Sequence, residues 1–258
     1  MSEGAVRYHR EGVVAHVTFD RPHAHNAMTW TMYEQLADAC TAIAGDRELR
    51  CAVFRGAGGR AFVAGTDIAQ FRHFTSAEDG LAYEAKMEEF LSAVETLPVP
   101  TLAVVEGWAI GGGLAIAGVC DLRIATPDAR FGVPIARTLG NCLSIANYAR
   151  LSAGFGASRL KKMLMLAEPL GAEEALTSGF LAEIVSTDAL DTRITAICER
   201  LSANAPVTMR AAKEAIRRIL HAMTPQGGDL IAETYGSRDF HEGVAAFVAK
   251  RPPRWEGR

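Results

Sequence analysis

The hydrophobic residues of the first fifty positions follow two spacings, each typical of one kind of secondary structure. Over residues 13–19 every second position is apolar, which predicts a half-buried strand that ends before Pro22. Over residues 31–45 the apolar positions recur every three or four residues, which predicts an amphipathic helix. Thr31 and Glu34 have the spacing of a capping box, so we expect the helix to begin there.

Short apolar runs then alternate with helical patterns through the middle of the chain. The runs at residues 51–54, 101–105 and 121–125 predict buried strands. Helices are expected over residues 77–96 and directly after the glycines 111–113. This order of strands and helices predicts an α/β fold, with a largely parallel sheet and helices packed against it.

The last third of the chain shows mainly the helical spacing. Pro206 suits the first position of one helix, and a last short helix is expected over residues 240–250. The change to an all-helical pattern gives the one candidate domain boundary. We therefore expect an α/β core over residues 1–190 and a helical C-terminal region over residues 191–258.

Composition and charge argue against several classes of function. With 27 basic and 30 acidic residues, the net charge of −3 is too small to hold nucleic acid or an anionic membrane. The longest uncharged stretch, residues 107–120, is shorter than the roughly 20 residues that span a bilayer. The N-terminus lacks a secretory pattern and the five cysteines include no CxxC pair, so we expect reduced thiols, a cytoplasmic location and no metal site.

Residues 61–68 form the first segment that could carry chemistry. They follow a predicted strand and a glycine-rich turn, where small residues allow the backbone to approach a ligand closely. A surface loop is the alternative. The spacing Gly56-x-Gly58-x-x-Ala61 also imitates a dinucleotide-binding fingerprint, but no helical pattern follows it, which argues against that interpretation.

The glycine triplet 111–113 forms the second such segment, between a buried strand and an apolar helix. Consecutive glycines cost backbone entropy, and they are useful where a helix N-terminus must approach something closely. The unpaired N–H groups at that terminus could stabilise a carbonyl oxygen that gains negative charge, as in an oxyanion hole. A tight strand-to-helix turn packed on the sheet is the alternative.

Taken together, five segments resemble the crotonase superfamily, also called the enoyl-CoA hydratase/isomerase family. In chain order they are residues 21–27, 61–68, 107–113 with Cys120-Asp121, 131–134 and 242–251. The resemblance implies a crotonase-like spiral of ββα units with a C-terminal helical region that packs subunits into a homotrimer or homohexamer. It also implies an acyl-CoA substrate, with coenzyme A as part of the thioester and no permanently bound cofactor.

The resemblance further implies roles for individual residues. The backbone N–H groups of Thr66 and Gly112 would form the oxyanion hole that holds the thioester carbonyl as it becomes an enolate. Thr66 would also contact the CoA portion. The other residues implied to bind CoA are Ala24, Ala64, Asp67 and Ile68 along the groove and, from a neighbouring subunit at the adenine end, Phe247 and Lys250.

Two positions depart from the pattern of the family's hydratases. Those members use two glutamates as acid and base, and here the corresponding positions hold Ala115 and Ile135. Neither side chain can move a proton, and such catalysis is typically worth roughly 10²–10⁴-fold. Arg137, Asn141 and His25 are the polar residues that could replace them, although a cap or a surface position is the commoner role of such residues.

The sequence therefore predicts an acyl-CoA-processing lyase or isomerase that works through a thioester enolate and hydrates crotonyl-CoA weakly. An acyl-CoA decarboxylase or C–C lyase of the same fold is one alternative. A CoA-thioester-binding protein without catalysis is another, and turnover of a panel of acyl-CoAs separates enzyme from binder.

Overall fold

The computed structural model describes residues 4–257, without the side chains of Ala69 and Gln70. The strands are β1 (Ala5–Glu11), β2 (Val14–Asp20), β3 (Cys51–Gly56), β4 (Ala61–Val63), β5 (Thr101–Val105), β6 (Trp108–Ile110), β7 (Leu122–Ala125), β8 (Arg130–Gly132), β9 (Leu170–Gly171) and β10 (Glu183–Ile184). The helices are α1 (Trp30–Gly45), α2 (Ala77–Glu95), α3 (Gly112–Val119), α4 (Ile135–Thr138), α5 (Ile145–Phe155), α6 (Ala157–Met165), α7 (Ala172–Ser178), α8 (Leu190–Ala203), α9 (Pro206–Ala222), α10 (Gly228–Tyr235) and α11 (Arg238–Val248). Short 3-10 helices occur at Pro22–Ala24, Ile68–His73 and Thr187–Ala189.

The strands form two sheets that share the turns of one spiral. The first sheet has the order β1-β2-β3-β5-β7-β10, and the second has the order β4-β6-β8-β9. The pairs β3–β4, β5–β6 and β7–β8 each place one strand in each sheet, and each pair is followed by a helix. Apart from β1 and β9, the paired strands run parallel. The expected α/β fold of ββα units is confirmed.

Two local expectations near the N-terminus are wrong. The alternation over residues 13–19 predicted β2 well, but β1, its antiparallel partner, was missed because only Val6 of that strand is buried. The cap of α1 is Thr29, whose side chain accepts a hydrogen bond from the Met32 N–H, and not the predicted Thr31. The helix therefore begins one residue earlier than its apolar spacing indicates.

Hydrophobic residues cover both faces of the larger sheet. On β3, Ala52 and Phe54 belong to the main core with α1 and α2, whereas Val53 points to a second cluster that includes Leu190 and Ile194 of α8. Burial on both faces explains why β3 and β5 are continuous apolar runs instead of alternating ones.

The C-terminal helices pack back onto the core. Helix α8 begins at the predicted boundary and covers the second face of the larger sheet. Helix α10 packs on α2, and α11 packs on the 3-10 helix Ile68–His73. The division at residue 190 stays a prediction. Within residues 4–257, no helix has the length and apolar character that a bilayer crossing requires.

The glycines of α3 differ in the space around them, which gives a first prediction. A Cβ at Gly113 would lie 1.9 Å from the Val63 carbonyl oxygen, whereas a Cβ at Gly118 would make an ordinary 3.5 Å contact with Leu151. We expect Gly113→Ala to destabilise the fold by about 1–3 kcal/mol, because backbone must move. Gly118→Ala should stabilise it by up to about 1 kcal/mol through helix propensity. Urea denaturation of both variants measures the difference, and equal effects would contradict this account of α3.

Candidate active site

A cavity of about 240 Å³ lies between α2, the start of α3 and the segment that joins β8 to α5. Its wall is mainly apolar, with a few polar groups. The sequence-predicted residues that line it are Ala64, Thr66, Ile68, Gly112, Ala115, Ile135, Asn141 and Phe247. The structure thus brings the two glycine-rich segments to one place.

The backbone of Thr66 turns its N–H away from the strand-like pairing that holds this segment. Met28 pairs with it through two bonds, from the Met28 N–H to the Gly65 oxygen (2.9 Å) and from the Asp67 N–H to the Met28 oxygen (2.8 Å). Neither bond uses the Thr66 N–H, and the described backbone hydrogen bonds give it no acceptor elsewhere. This donor is therefore available at the cavity wall.

The second donor comes from the start of α3. Gly112 is the first residue of that helix, so its N–H has no acceptor within the helix. A Cβ at Gly112 would lie 3.1 Å from Thr66 Oγ1, which shows that the two residues are neighbours. The preceding residues, Gly65 and Gly111, have φ values of 100° and 54°, a region that favours glycine. Backbone geometry therefore sets two N–H groups side by side at a helix N-terminus.

Three hydroxyl groups surround this pair of donors. Tyr33 Oη lies 2.8 Å from Thr66 Oγ1, and Tyr83 donates to the same oxygen at 3.3 Å. Burial raises the pKa of Tyr33 to about 12, so its phenol keeps its proton at neutral pH. The threonine side chain is thus held by two phenols, and among the described residues its hydroxyl makes no hydrogen bond to the Thr66 N–H.

Glu84 is a carboxyl group in the cavity wall that the sequence analysis missed. Its side chain is only 5% exposed. One carboxyl oxygen accepts from the Ser144 N–H (3.0 Å), and the other accepts from the Tyr235 hydroxyl (2.7 Å). Burial raises the pKa of Glu84 to about 7, against the lowering effect of these two hydrogen bonds. This group can therefore gain or lose a proton near neutral pH.

Asn141 completes the polar end of the cavity. Its Nδ2 donates to the Tyr235 hydroxyl at 3.3 Å, and the tyrosine in turn donates to Glu84. Its Oδ1 is buried and has no hydrogen-bond partner among the described residues. An unsatisfied buried acceptor is costly, and this oxygen has almost no accessible surface, so the amide group of Asn141 is held by its Nδ2 alone. Of the three proposed replacements for the missing glutamates, Asn141 is the one whose side chain lines the cavity.

The other two lie outside the cavity wall. His25 is exposed at a φ of 50°, and its described hydrogen bonds are made by its backbone: the N–H donates to the Pro22 oxygen at 3.2 Å, and the carbonyl accepts from the Ala64 N–H at 3.0 Å. Arg137 is exposed on α4. The physical reason is local: each side chain sits on the solvent side of a short helical turn, where a charged group stays hydrated.

The predicted CoA-binding residues are divided between the cavity and its surroundings. Ala24 ends a 3-10 turn and is half-buried, Asp67 forms an ion pair with Arg21 at 3.0 Å, and Lys250 is exposed just beyond α11. Phe247 lines the cavity of its own chain, whereas the sequence analysis placed it in the site of a neighbouring subunit. Helix α11 packs on the 3-10 helix Ile68–His73 of its own chain, and Phe247 is 49% exposed, so its contact with CoA in a neighbouring subunit stays a prediction.

A sequence signal for Glu84 does exist. The buried face of α2 contains Tyr83, Glu84, Met87 and Leu91, so a glutamate occupies a position of the apolar stripe. A carboxylate is rarely buried without a partner, and its place on that stripe indicates a special environment. The sequence analysis predicted a helix over residues 77–96 but assigned no function to a single glutamate on its buried face.

Comparison with known proteins agrees with this geometry. Residues 9–258 match the family model described as enoyl-CoA hydratase/isomerase. A short-chain-enoyl-CoA hydratase from Clostridium acetobutylicum is 31% identical over 246 residues, which cover 94% of each chain. A solved enoyl-CoA hydratase/carnithine racemase from Magnetospirillum magneticum is 33% identical, covers 98% of this chain and 96% of its own, and has a TM-score of 0.80. A methylmalonyl-CoA decarboxylase solved with 2S-carboxypropyl-CoA is 26% identical, covers 100% of both chains and has a TM-score of 0.89.

A spiral of ββα units, together with whole-chain similarity to a solved enoyl-CoA hydratase/carnithine racemase, defines the crotonase class of protein. The chain belongs to the enoyl-CoA hydratase/isomerase family. The structure also argues against the dinucleotide-binding interpretation of Gly56 and Gly58. That fingerprint requires a helix after the glycines, and strand β4 follows them instead.

The buried carboxyl group gives a second prediction, on stability. The pKa of Glu84 is about 7 in the folded protein and lies near 4.5 when the chain is unfolded, so the folded state binds this proton more tightly. Stability should therefore fall as the pH rises from about 4.5 to about 7, by about 3 kcal/mol. Glu84→Gln cannot ionise and should lack this loss.

Urea denaturation at pH 5 and pH 8 provides the measurement. Glu89→Gln, at an exposed position of the same helix, is the matched control and should behave as the unaltered protein does. The prediction is contradicted if Glu84→Gln keeps the full pH dependence.

Proposed function

We propose that this protein is an enzyme that acts on an acyl-CoA through a thioester enolate, with the enolate oxygen held by the N–H groups of Thr66 and Gly112. One observation carries the proposal: Thr66 and Gly112 are neighbours in the wall of a mainly apolar cavity, and the described backbone hydrogen bonds give neither N–H an acceptor. Donors of this kind stabilise a developing oxyanion strongly, because they are fixed before the reaction and little water competes with them. The relatives named as CoA enzymes support an acyl-CoA as the substrate, and the proposal includes no permanently bound cofactor.

Hydration is not the reaction that this cavity favours. Ala115 and Ile135 line the cavity at the two positions where the resemblance predicts the hydratase glutamates. The wall there is buried or half-buried hydrocarbon, so no side chain at these points can activate water. Reactions that need the enolate and a single proton transfer fit better, and an isomerase or lyase activity is therefore proposed.

Decarboxylation of a 2-carboxyacyl-CoA is the second candidate. The whole-chain similarity to a methylmalonyl-CoA decarboxylase with a TM-score of 0.89 favours it. Among the described residues that line the cavity there is no lysine or arginine to hold a carboxylate. An apolar wall destabilises a carboxylate relative to carbon dioxide, and the electron pair that remains is accepted by the thioester as an enolate.

Assembly into a homotrimer or homohexamer and a cytoplasmic location belong to the same proposal. Helix α9 presents Val207, Ile216, Ile219 and Met223, each more than 60% exposed. Apolar side chains along one helix are typical of a surface that another subunit covers.

The missing glutamates give the third prediction. The unaltered protein should hydrate crotonyl-CoA at least ~100-fold more slowly than the double variant Ala115→Glu with Ile135→Glu, because acid and base must act together. Each single variant should gain little. Loss of absorbance by the conjugated enoyl thioester measures the rate. A turnover of hundreds per second by the unaltered protein would show that another group activates water.

The oxyanion hole gives the fourth prediction. Gly112→Pro removes the N–H, whereas Gly112→Ala keeps it and adds a Cβ at the same place. Exchange of the α protons of butyryl-CoA with D2O, followed by NMR, reports on enolate formation. We expect the proline variant to lose ~10²-fold or more, and the alanine variant to lose much less.

Binding of butyryl-CoA by calorimetry checks that each variant keeps its site. Equal losses of α-proton exchange in Gly112→Pro and Gly112→Ala would mean that the Gly112 N–H group does not stabilise the enolate. If the unaltered protein exchanges no α proton of any acyl-CoA in a panel, the enolate mechanism itself is wrong.

A further inference from the structure

Glu84 is placed in the cavity as a proton-transfer group would be. It is the one aspartate, glutamate or histidine among the described residues of the wall. It projects from α2, whereas the two missing glutamates would project from α3 and from the start of α4. A carboxyl group is therefore present in this cavity, but on a different wall from the one that the resemblance predicts.

The surroundings of Glu84 hold the carboxyl group in place without neutralising it. The Ser144 N–H and the Tyr235 hydroxyl each donate to one of its oxygens, which leaves further lone pairs on both. No lysine, arginine or histidine pairs with it among the described ion pairs. The titratable groups that act on it or feel its charge are Tyr235 from α10, Tyr33 from α1, Tyr83 and Glu88 from α2, Cys142 from the segment before α5 and Tyr148 from α5 itself.

These neighbours explain why the Glu84 carboxyl group can gain or lose a proton near pH 7. The nearby tyrosines and Cys142 have raised pKa values and stay neutral near pH 7, mainly through burial. Glu88 repels a second negative charge. A carboxyl group whose pKa is about 7 has both protonation states available at working pH, which is the condition for efficient acid and base catalysis. Asn141, whose amide donates to the Tyr235 hydroxyl, lies in the same wall and ties this network to the cavity.

We propose that Glu84 is the catalytic acid and base of this site, which transfers a proton to and from the acyl chain of the bound CoA thioester. The proposal rests on the enolate function described above. The Glu84 carboxylate takes a proton from the α carbon, and the electron pair of that C–H bond moves to the thioester oxygen beside Thr66 and Gly112. The protonated carboxyl then returns the proton to the α carbon or, when a β,γ double bond conjugates the enolate, to the γ carbon. Nothing is consumed, so one carboxyl group suffices for a double-bond shift.

Tyr235 has the role of a positioning residue in this scheme. Its hydroxyl donates to Glu84 and stabilises the carboxylate, and it reaches the site from α10 in the C-terminal region. The substitution Tyr235→Phe removes only this hydroxyl group, so it should leave the shape of the cavity nearly unchanged. The pKa of Glu84 should then rise further, since a hydrogen bond to its charged form is lost.

The test is the exchange of butyryl-CoA α protons with D2O, measured from pH 5.5 to pH 9 on the full chain. For the unaltered protein the rate should rise with pH and level off above a midpoint near 7, as Glu84 becomes a base. Glu84→Gln should lose ~10²-fold or more at pH 8 and lose the midpoint. Glu84→Asp, which keeps a carboxyl group, should retain part of the rate, and Glu89→Gln should match the unaltered protein. Tyr235→Phe should move the midpoint to higher pH.

The outcomes separate this proposal from the proposed function. Exchange that Gly112→Pro abolishes and Glu84→Gln leaves intact would overturn the role of Glu84 while the enolate mechanism stands. A uniform loss in Glu84→Gln with an unchanged midpoint would also overturn it, because the titrating group would then be another residue. Absence of exchange in the unaltered protein would overturn both. Butyryl-CoA binding by calorimetry and a urea transition confirm that each variant is folded.

Discussion

Gly113 lies so close to strand β4 that a Cβ there would stand 1.9 Å from the Val63 carbonyl oxygen. This contact presses the start of α3 against the smaller sheet and brings the Gly112 N–H beside Thr66. Because both donors belong to the backbone, the side chain at residue 66 is free to vary, and here a threonine is held by two tyrosine hydroxyls. The proposed oxyanion hole would therefore be a property of how a sheet and a helix meet, and it would not depend on any one functional side chain.

Glu84 contributes a side-chain group to the cavity, and burial makes the ionisation of that group costly. A buried ionised carboxylate is costly, and this cost raises its pKa and weakens the fold above neutral pH. Hydrogen bonds from Ser144 and Tyr235 offset part of the cost, and they connect α2 with the loop before α5 and with α10. The C-terminal helices thus contribute to the site through a tyrosine, although the sequence separates them from the α/β core.

The sequence predicts those features that repeat or that restrict the backbone. Residues 13–19 alternate because one face of β2 is buried, and the glycines 111–113 are needed for close backbone contact, so both were found. Strand β1 was not found, since it is an exposed edge whose pairing comes from its neighbour. Glu84 was not found because a single polar residue on an apolar stripe acquires meaning only when the packing around it is known.

The wall that carries the carboxyl group decides which chemistry the cavity supports. Ala115 and Ile135 belong to α3 and α4, so acids at those points would approach the bound acyl chain from one side. Glu84 belongs to α2 and, in the proposed role, would meet the chain from another direction, within a wall whose described residues include no other carboxyl group. A single carboxyl group placed there can move a proton between carbons, but it has no second acid to complete the addition of water. The same spiral and the same oxyanion hole can therefore serve a different reaction when one carboxyl group changes its helix.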